Sequence, residues 1–184
     1  MIVLVVVAII TIAAVPDGDS EAKEEGRHAC MRFEADISYA RSLSIARPDD
    51  PAILKLDGDN NRYWLARASL PDTPITHPQT GEPYLVQYGP GGNQGFTHVQ
   101  MLACDFGGDG VLGFDAFGGT DQQTDAILQL SSAGANYEIA VAPVTADVTS
   151  TQGLKTTLGE GMQFVGGGES GAGGGGAGGG GCME

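Results

Sequence analysis

The chain opens on an unbroken apolar block. In "MIVLVVVAIITIAAVPDGDS", residues 2 to 15 are apolar apart from Thr11, and Pro16 closes the run. The block has no polar face, so it does not read as an amphipathic surface helix. As a helix it reaches about 21 Å, against a hydrocarbon core of about 30 Å. After the break at Pro16–Asp19 the pattern changes. Ala22, Ala29, Phe33, Ile37, Ala40 and Leu43 or Ser44 recur at three- and four-residue steps, one apolar stripe on an otherwise charged helix. Ser20 is the expected N-cap, with Asp19 competing for the position. Glu21, Glu24 and Glu25 suit the positive end of the helix dipole. Pro48 is the expected stop, because a residue before proline avoids the α region.

From residue 52 the pattern turns to short strands. "AILKL" and "RYWLARA" flank "DGDNN" and predict a hairpin. The proline-rich stretch from Ser69 to Phe96 reads as mostly loop, with "YLVQY" a short strand at most. "HVQMLAC", "GVLGFDAF", "AILQLSS" and "NYEIAVAPVTADVTS" predict four more strands, separated by Gly-, Asp- and Asn-rich turns. Glycines in "GVLGFDAFGG" point to a bulge or to the close approach of another backbone. The glycine-rich end, "GGGESGAGGGGAGGGG", has too little apolar surface to offset its ordering entropy. The expected class is α+β: a long N-terminal helix, apolar then amphipathic, packed on an antiparallel β-sheet or a small two-sheet β-sandwich. The expected division is a helix over 1–47 with a membrane or filament segment at 1–16, a β domain over 48–152, and a flexible tail over 153–184.

Charge narrows the function classes. The formal net charge is −14, which argues against nucleic-acid binding because no basic patch is present to displace counterions. Eight of the nine Lys and Arg residues lie between Lys23 and Arg67. Twelve Asp and Glu residues follow Arg67, against one Lys155. The three cysteines, Cys30, Cys104 and Cys182, show no zinc-ligand spacing. A Cys30–Cys104 bridge is an alternative to buried free thiols. His28, His77 and His98 stand near no recognisable nucleophile motif, and no phosphate-binding loop occurs. The chain is therefore expected to be no enzyme and to need no cofactor. Calcium is the one ion with candidates. Asp57, Asp59 and Asn61 alternate as the first three ligands of an EF-hand do. The sixth position, though, is Arg62 rather than Gly, and the twelfth is Ala68 rather than Glu. A hairpin turn explains the stretch better, and the Asp105/Asp109 loop is a second irregular candidate.

With the chemistry sparse, the order of elements carries the reading. "MIVLVVVAIITIAAVP" followed by an amphipathic helix and a β domain resembles the type IV pilin and pseudopilin family. The stretch "FEADISYARSLSIARPDDPAILKLDGDNNRYWLARA" is similar to minor pseudopilins of the H class. In those proteins an Ala-Arg-containing helix end, here Tyr39 to Ala46, feeds directly into a first hairpin. The resemblance covers residues 1 to 70. It implies an inner-membrane, single-pass subunit with a periplasmic domain, working in a type II secretion pseudopilus or a pilus-like filament. It also implies partners among other pseudopilins and the secretion machinery. Membrane and filament packing then falls to Ile2, Val3, Leu4, Val5, Val6, Val7, Ala8, Ile9, Ile10, Ile12 and Val15, with the bend at Pro16. Helix-to-sheet packing falls to Ala29, Phe33, Ile37 and Ala40. The family's leader, its cleavage glycine and its glutamate are not in this sequence. About six mature residues and the leader are expected upstream of Met1, and a restored leader would make the chain a prepilin peptidase substrate. The competing expectation is a secreted or membrane-anchored periplasmic β-rich binding or hydrolytic module, with the N-terminus as signal or anchor.

Overall fold

The structure, a computed structural model, describes residues 18–92 and 95–154. The apolar run, Pro16 and the glycine-rich end lie outside the described residues. The class is α+β, with one helix lying against two antiparallel sheets. Helix α1 spans Gly18–Ala46, so Ser20 falls inside it and is not the N-cap. Gly26 also sits within it and does not interrupt it. Pro48 follows two residues after its end, and the backbone N–H of Arg47 closes the last turn on the carbonyls of Leu43 and Ser44.

The first sheet has five strands: β1 (Ala52–Asp57), β2 (Arg62–Arg67), β3 (Leu70–Pro74), β4 (Leu85–Gln87) and β6 (Val111–Gly113). Strands β1 and β2 form the expected hairpin, with Asp57 opposite Arg62. Strands β3 and β4 both pair with β2. Strand β4 meets Arg62–Trp64, and β3 meets Ala66 and Arg67. The proline-rich stretch, expected to be mostly loop, thus also holds strand β3. Pro71 and Pro74 are tolerated in β3 because it is an edge strand.

The second sheet runs β5–β7–β8–β9, from β5 (Val99–Asp105), β7 (Ala126–Ser132), β8 (Ala135–Val141) and β9 (Val148–Leu154). "NYEIAVAPVTADVTS" was expected to be one strand and is two. Its turn is built without glycine: Val144 and Ala146 take φ of +68° and +55°. Strand β9 also takes in residues 153 and 154, the first two of the expected tail.

The core lies between the helix and the sheets. Ala29, Phe33, Ile37 and Ala40 are all fully buried there, against Leu54, Tyr63, Leu65, Leu128, Leu130 and Ile139 among others. The period-2 rule explains which strand residues face it. In β7, Ala126, Leu128, Leu130 and Ser132 are buried and alternate with half-buried neighbours. The outer face of the first sheet has its own small cluster of Ile53, Trp64 and Ala66. Lys55 and Arg62 each lie 5.7 Å from the Trp64 ring centre.

Close approach of α1 to the second sheet depends on Gly26. A Cβ there would collide with the ring of Tyr137 and lie 3.0 Å from Ser132 Cβ. With no side chain at 26, the carbonyls of the preceding turn are open to the sheet. Ser132 Oγ donates to Ala22 O, and Tyr137 Oη donates to Lys23 O at 2.7 Å. In an exposed helix, Gly→Ala gains about 1 kcal/mol. Here Gly26→Ala is expected to lower the unfolding free energy by about 1–3 kcal/mol through overpacking. Urea unfolding of the two proteins checks the sign.

Candidate functional site

Besides the Ser132 and Tyr137 bonds, polar side chains of the helix fasten it to the β structure, most closely at Glu25, Asp36 and Ser44. At its N-terminal end, Glu25 accepts from the backbone N–H of His98 at 3.0 Å and lies 3.0 Å from His98 Nδ1. Burial nudges the Glu25 carboxyl upward. The His98 and Thr97 interactions outweigh it and hold the group below its ordinary range. At the C-terminal end, Ser44 is buried. Its hydroxyl accepts from Ala52 N–H at 2.9 Å and donates to Ala40 O at 3.0 Å, which fixes the start of β1 to the last turn of α1.

The third fastening lies between them. Asp36 is 2% exposed and sits on the apolar stripe, three residues after Phe33 and four before Ala40. Tyr84 Oη and Tyr63 Oη donate to its two oxygens, each at 2.8 Å. Arg32, one turn earlier, pairs with it at 3.1 Å. Burial raises the Asp36 carboxyl above its usual range, and the three donors offset this only in part. Burial also pushes Tyr63 and Tyr84 upward, so both phenols stay protonated as donors. The Tyr84 ring is stacked by Tyr39 at 5.6 Å and by His77 at 4.6 Å, and Arg32 lies 5.6 Å from its centre. Both Asp36 oxygens are engaged and shielded from solvent, so the arrangement suits positioning a helix over a sheet. An acid at a core position of the stripe was the signal in the sequence, and the reading by apolar spacing passed over it.

Three of the calcium candidates are engaged by other groups of the protein. The Asp57 carboxylate takes Asn60 at 2.9 Å and Arg62 at 2.8 Å. Slight burial raises it, and these bonds together hold it low. Asn61, at φ +54°, turns its amide to the edge of β5. It donates to Val99 O at 3.2 Å and accepts from Met101 N–H at 2.7 Å. The residue considered as a ligand is therefore a clasp between the two sheets. Asp109 accepts from Val111 N–H within its own loop. Among the described residues, no group of three His, Cys, Asp or Glu side chains is placed to hold a metal ion. Of the histidines, His98 meets Glu25, His77 stacks on Tyr84, and His28 is exposed on the helix. Cys30 is a buried free thiol, so the alternative Cys30–Cys104 bridge is not made. Among the described residues no helix is long and apolar enough to cross a membrane.

Beside the C-terminal half of α1 lies a groove of about 340 Å³, lined by Tyr39, Leu43, Arg47, Arg67, Leu70 and the 73–76 segment. A second concavity, about 240 Å³, lies over Arg32, His77 and Tyr84. No family model matches the chain, and no curated protein or solved structure matches it significantly.

Two measurements test the Asp36 fastening. Tyr63→Phe removes a hydrogen bond to a charged group and is expected to cost about 1.5–3 kcal/mol in urea unfolding. The pH dependence has a definite sign. Because the folded-state pKa of Asp36 is raised, the folded chain takes up a proton that the unfolded chain does not. The folded state therefore gains stability as pH falls through that raised pKa, down to the unfolded value of about 3.9. Asp36→Asn abolishes this gain, so the wild type improves relative to the variant on acidification. Glu25 acts oppositely: its contribution is complete above the unfolded value of about 4.3 and fades as pH drops below it. Burial pushes the Cys30 thiol up to about 12, and little thiolate forms at neutral pH. Mass mapping after iodoacetamide treatment should find Cys30 alkylated only once urea has unfolded the chain.

Proposed function

We propose that the chain is a non-enzymatic, pilin-like assembly subunit. It is held in a bacterial inner membrane by its apolar N-terminal segment, presents its β domain to the periplasm, and enters a type II secretion pseudopilus or a related filament. One observation carries the reading. The amphipathic helix that follows the apolar run is gripped by two β-sheets from Ala22 to Ser44. The chain therefore joins an apolar segment to a rigid helix-on-sheet body through one continuous stretch of sequence. In the bilayer, lipid solvates Ile2 to Val15. In a filament, the same surface packs on neighbouring apolar helices. The resemblance of residues 1 to 70 to minor pseudopilins supports the same reading. The long helix, apolar first and amphipathic after, belongs to this proposal. So do the bend at Pro16, the secretion partners and, with a restored leader, processing by prepilin peptidase.

The test uses the full chain in its own cells. A photo-crosslinking residue at Val6 or Ile9 is expected to capture pilin-like subunits. Val6→Lys places a charge in the apolar segment at a cost of about 2.5–3.5 kcal/mol and should lower the ratio of membrane-bound to free chain roughly a hundredfold. Recovery of a mature chain that begins after Ala14, with no such crosslinks, would sink the assembly reading and favour a secreted module.

A further inference from the structure

Two surface features at the C-terminal half of α1 remain unused by the fastenings described above. One is a knob. Phe117 is 91% exposed, Val144 75% and Ile45 53%. They come from three segments that meet at Gly118 and Gly119. A Cβ on Gly118 would lie 3.1 Å from Ile45 Cδ1, and one on Gly119 would collide with the Val144 carbonyl. Val144 is β-branched and held at φ +68°, a conformation that costs energy and persists only where surrounding structure enforces it. Asp115 holds the Phe117 loop in shape by accepting from Phe117 and Gly119 N–H, each at 2.8 Å. The 114–120 and 142–147 loops carry Asp115 and Asp147 and no lysine or arginine. One cation stands at the knob: Arg41, whose Nε lies 3.4 Å from where a Gly118 Cβ would be and whose guanidinium donates to the Ala146 carbonyl at 3.5 Å.

The other feature is the groove of about 340 Å³. Its walls are mostly apolar: Tyr39 and Leu43 from the helix, and Leu70, Pro74 and Ile75 from the first sheet's edge, with Thr73 and Thr76 beside them. Its charged lining residues are Arg47 and Arg67, with no acidic residue among them. Leu70 is 61% exposed at its rim. In a chain of net charge −14, this apolar concavity is locally cationic. Positions 39 and 43 form one edge of the helix, with Arg47 just past its end, and 41 and 45 form another. Residues two apart are about 200° apart around a helix, so groove and knob lie on opposite flanks of α1, with the buried stripe between them.

We propose that the acid-rimmed Phe117 knob of one copy docks in the Arg47/Arg67 groove of a second copy. The contact is heterologous, because one surface meets a different surface. Each copy keeps a free knob or a free groove, so the contact propagates in one direction unless its rotation closes a ring. A single aromatic knob buries less than a standard stable interface. Repulsion between strongly anionic copies also opposes it. The association is therefore weak alone and concentration-dependent. The contact lies on the folded domain and does not depend on what the apolar run does. Its failure and the failure of the pilin-like reading are thus read separately.

The experiment uses full-length chain in detergent, with sedimentation velocity at rising concentration and a photo-crosslinking residue at position 117. The wild type is expected to show a concentration-dependent rise in sedimentation coefficient that Phe117→Ser and Arg47→Glu each abolish. Mixing these two variants restores dimers and nothing larger, because one retains the groove and the other the knob. Crosslinks from position 117 should map to residues 39–47 or 67–76 of the second copy. Association in detergent that is unaffected by Phe117→Ser, failure of the mixed variants to pair, or crosslinks mapping elsewhere would each overturn the proposal. Far-UV circular dichroism of each variant separates lost docking from lost folding. Should either substitution unfold the chain, Phe117→Leu and Arg47→Gln replace it, with intermediate weakening expected and undiminished association overturning the proposal.

Discussion

A helix that must satisfy two sheets at once has little freedom in where it lies. Helix α1 meets the second sheet through Ala22, Lys23 and Gly26, and the first through Asp36 and Ser44. The contacts differ in kind. At Gly26 a missing side chain lets Tyr137 and Ser132 reach helix carbonyls. At Asp36 a charged side chain is placed where an apolar one would be the default. The combination sets both the height and the rotation of the helix. An apolar stripe alone would tolerate small slides along the sheets, because hydrophobic burial is non-directional. A carboxylate held by two phenols at 2.8 Å tolerates much less.

The same constraint connects the sheets to each other. The first sheet is a hairpin with short strands added at its edges, and the second is a separate antiparallel run. Besides the helix, Asn61 joins them directly. It takes a left-handed backbone conformation that asparagine tolerates better than most residues. Its side-chain amide then behaves as a short piece of strand against β5. Phe106 adds an apolar link, its ring 6.5 Å from Phe33. Several charges on the helix and first hairpin are paired: Arg32 with Asp36, Arg62 with Asp57, and Lys55 with Asp72. The acidic residues beyond Arg67 meet few cations, so the second half of the chain keeps its negative charge.

What could be read from the sequence follows from which signals are periodic. Ala29, Phe33, Ile37 and Ala40 repeat with the helix, and the "AILKL…RYWLARA" hairpin announces itself by apolar strands around a polar turn. Asp36 was illegible to a search for apolar spacing because it occupies an apolar position, although that misfit was itself the clue. Strand β3 was hidden by its two prolines, which an edge position accommodates. The β8–β9 reversal was hidden because Val144 and Ala146, rather than glycine or asparagine, take the positive φ. In Asn61 the alternating Asp/Asn pattern suggested a ligand, whereas the backbone needed a residue for a tight reversal and the edge of β5 needed hydrogen-bond partners. Turn chemistry and cation ligation draw on the same residue types, so spacing alone does not separate them.

On the assembly reading, the position of the grip matters more than its strength. Among the described residues, the first buried one on the helix is Ala22, six residues after Pro16 in the sequence. Every fastening among the described residues lies from Ala22 onward, so on this reading a force applied to the apolar segment reaches the β domain through the turn at Ala22–Gly26. There the load is shared by hydrogen bonds to helix carbonyls and by Glu25 with His98, before it reaches the apolar stripe and Asp36. Serial loading of this kind favours polar contacts at the entry and burial behind them. The first are directional and resist rotation, while the second supplies most of the stabilisation against separation. The order of residues along α1, with Gly26 and Glu25 first, then Phe33, Asp36 and Ile37, then Ser44, is that arrangement written into one helix.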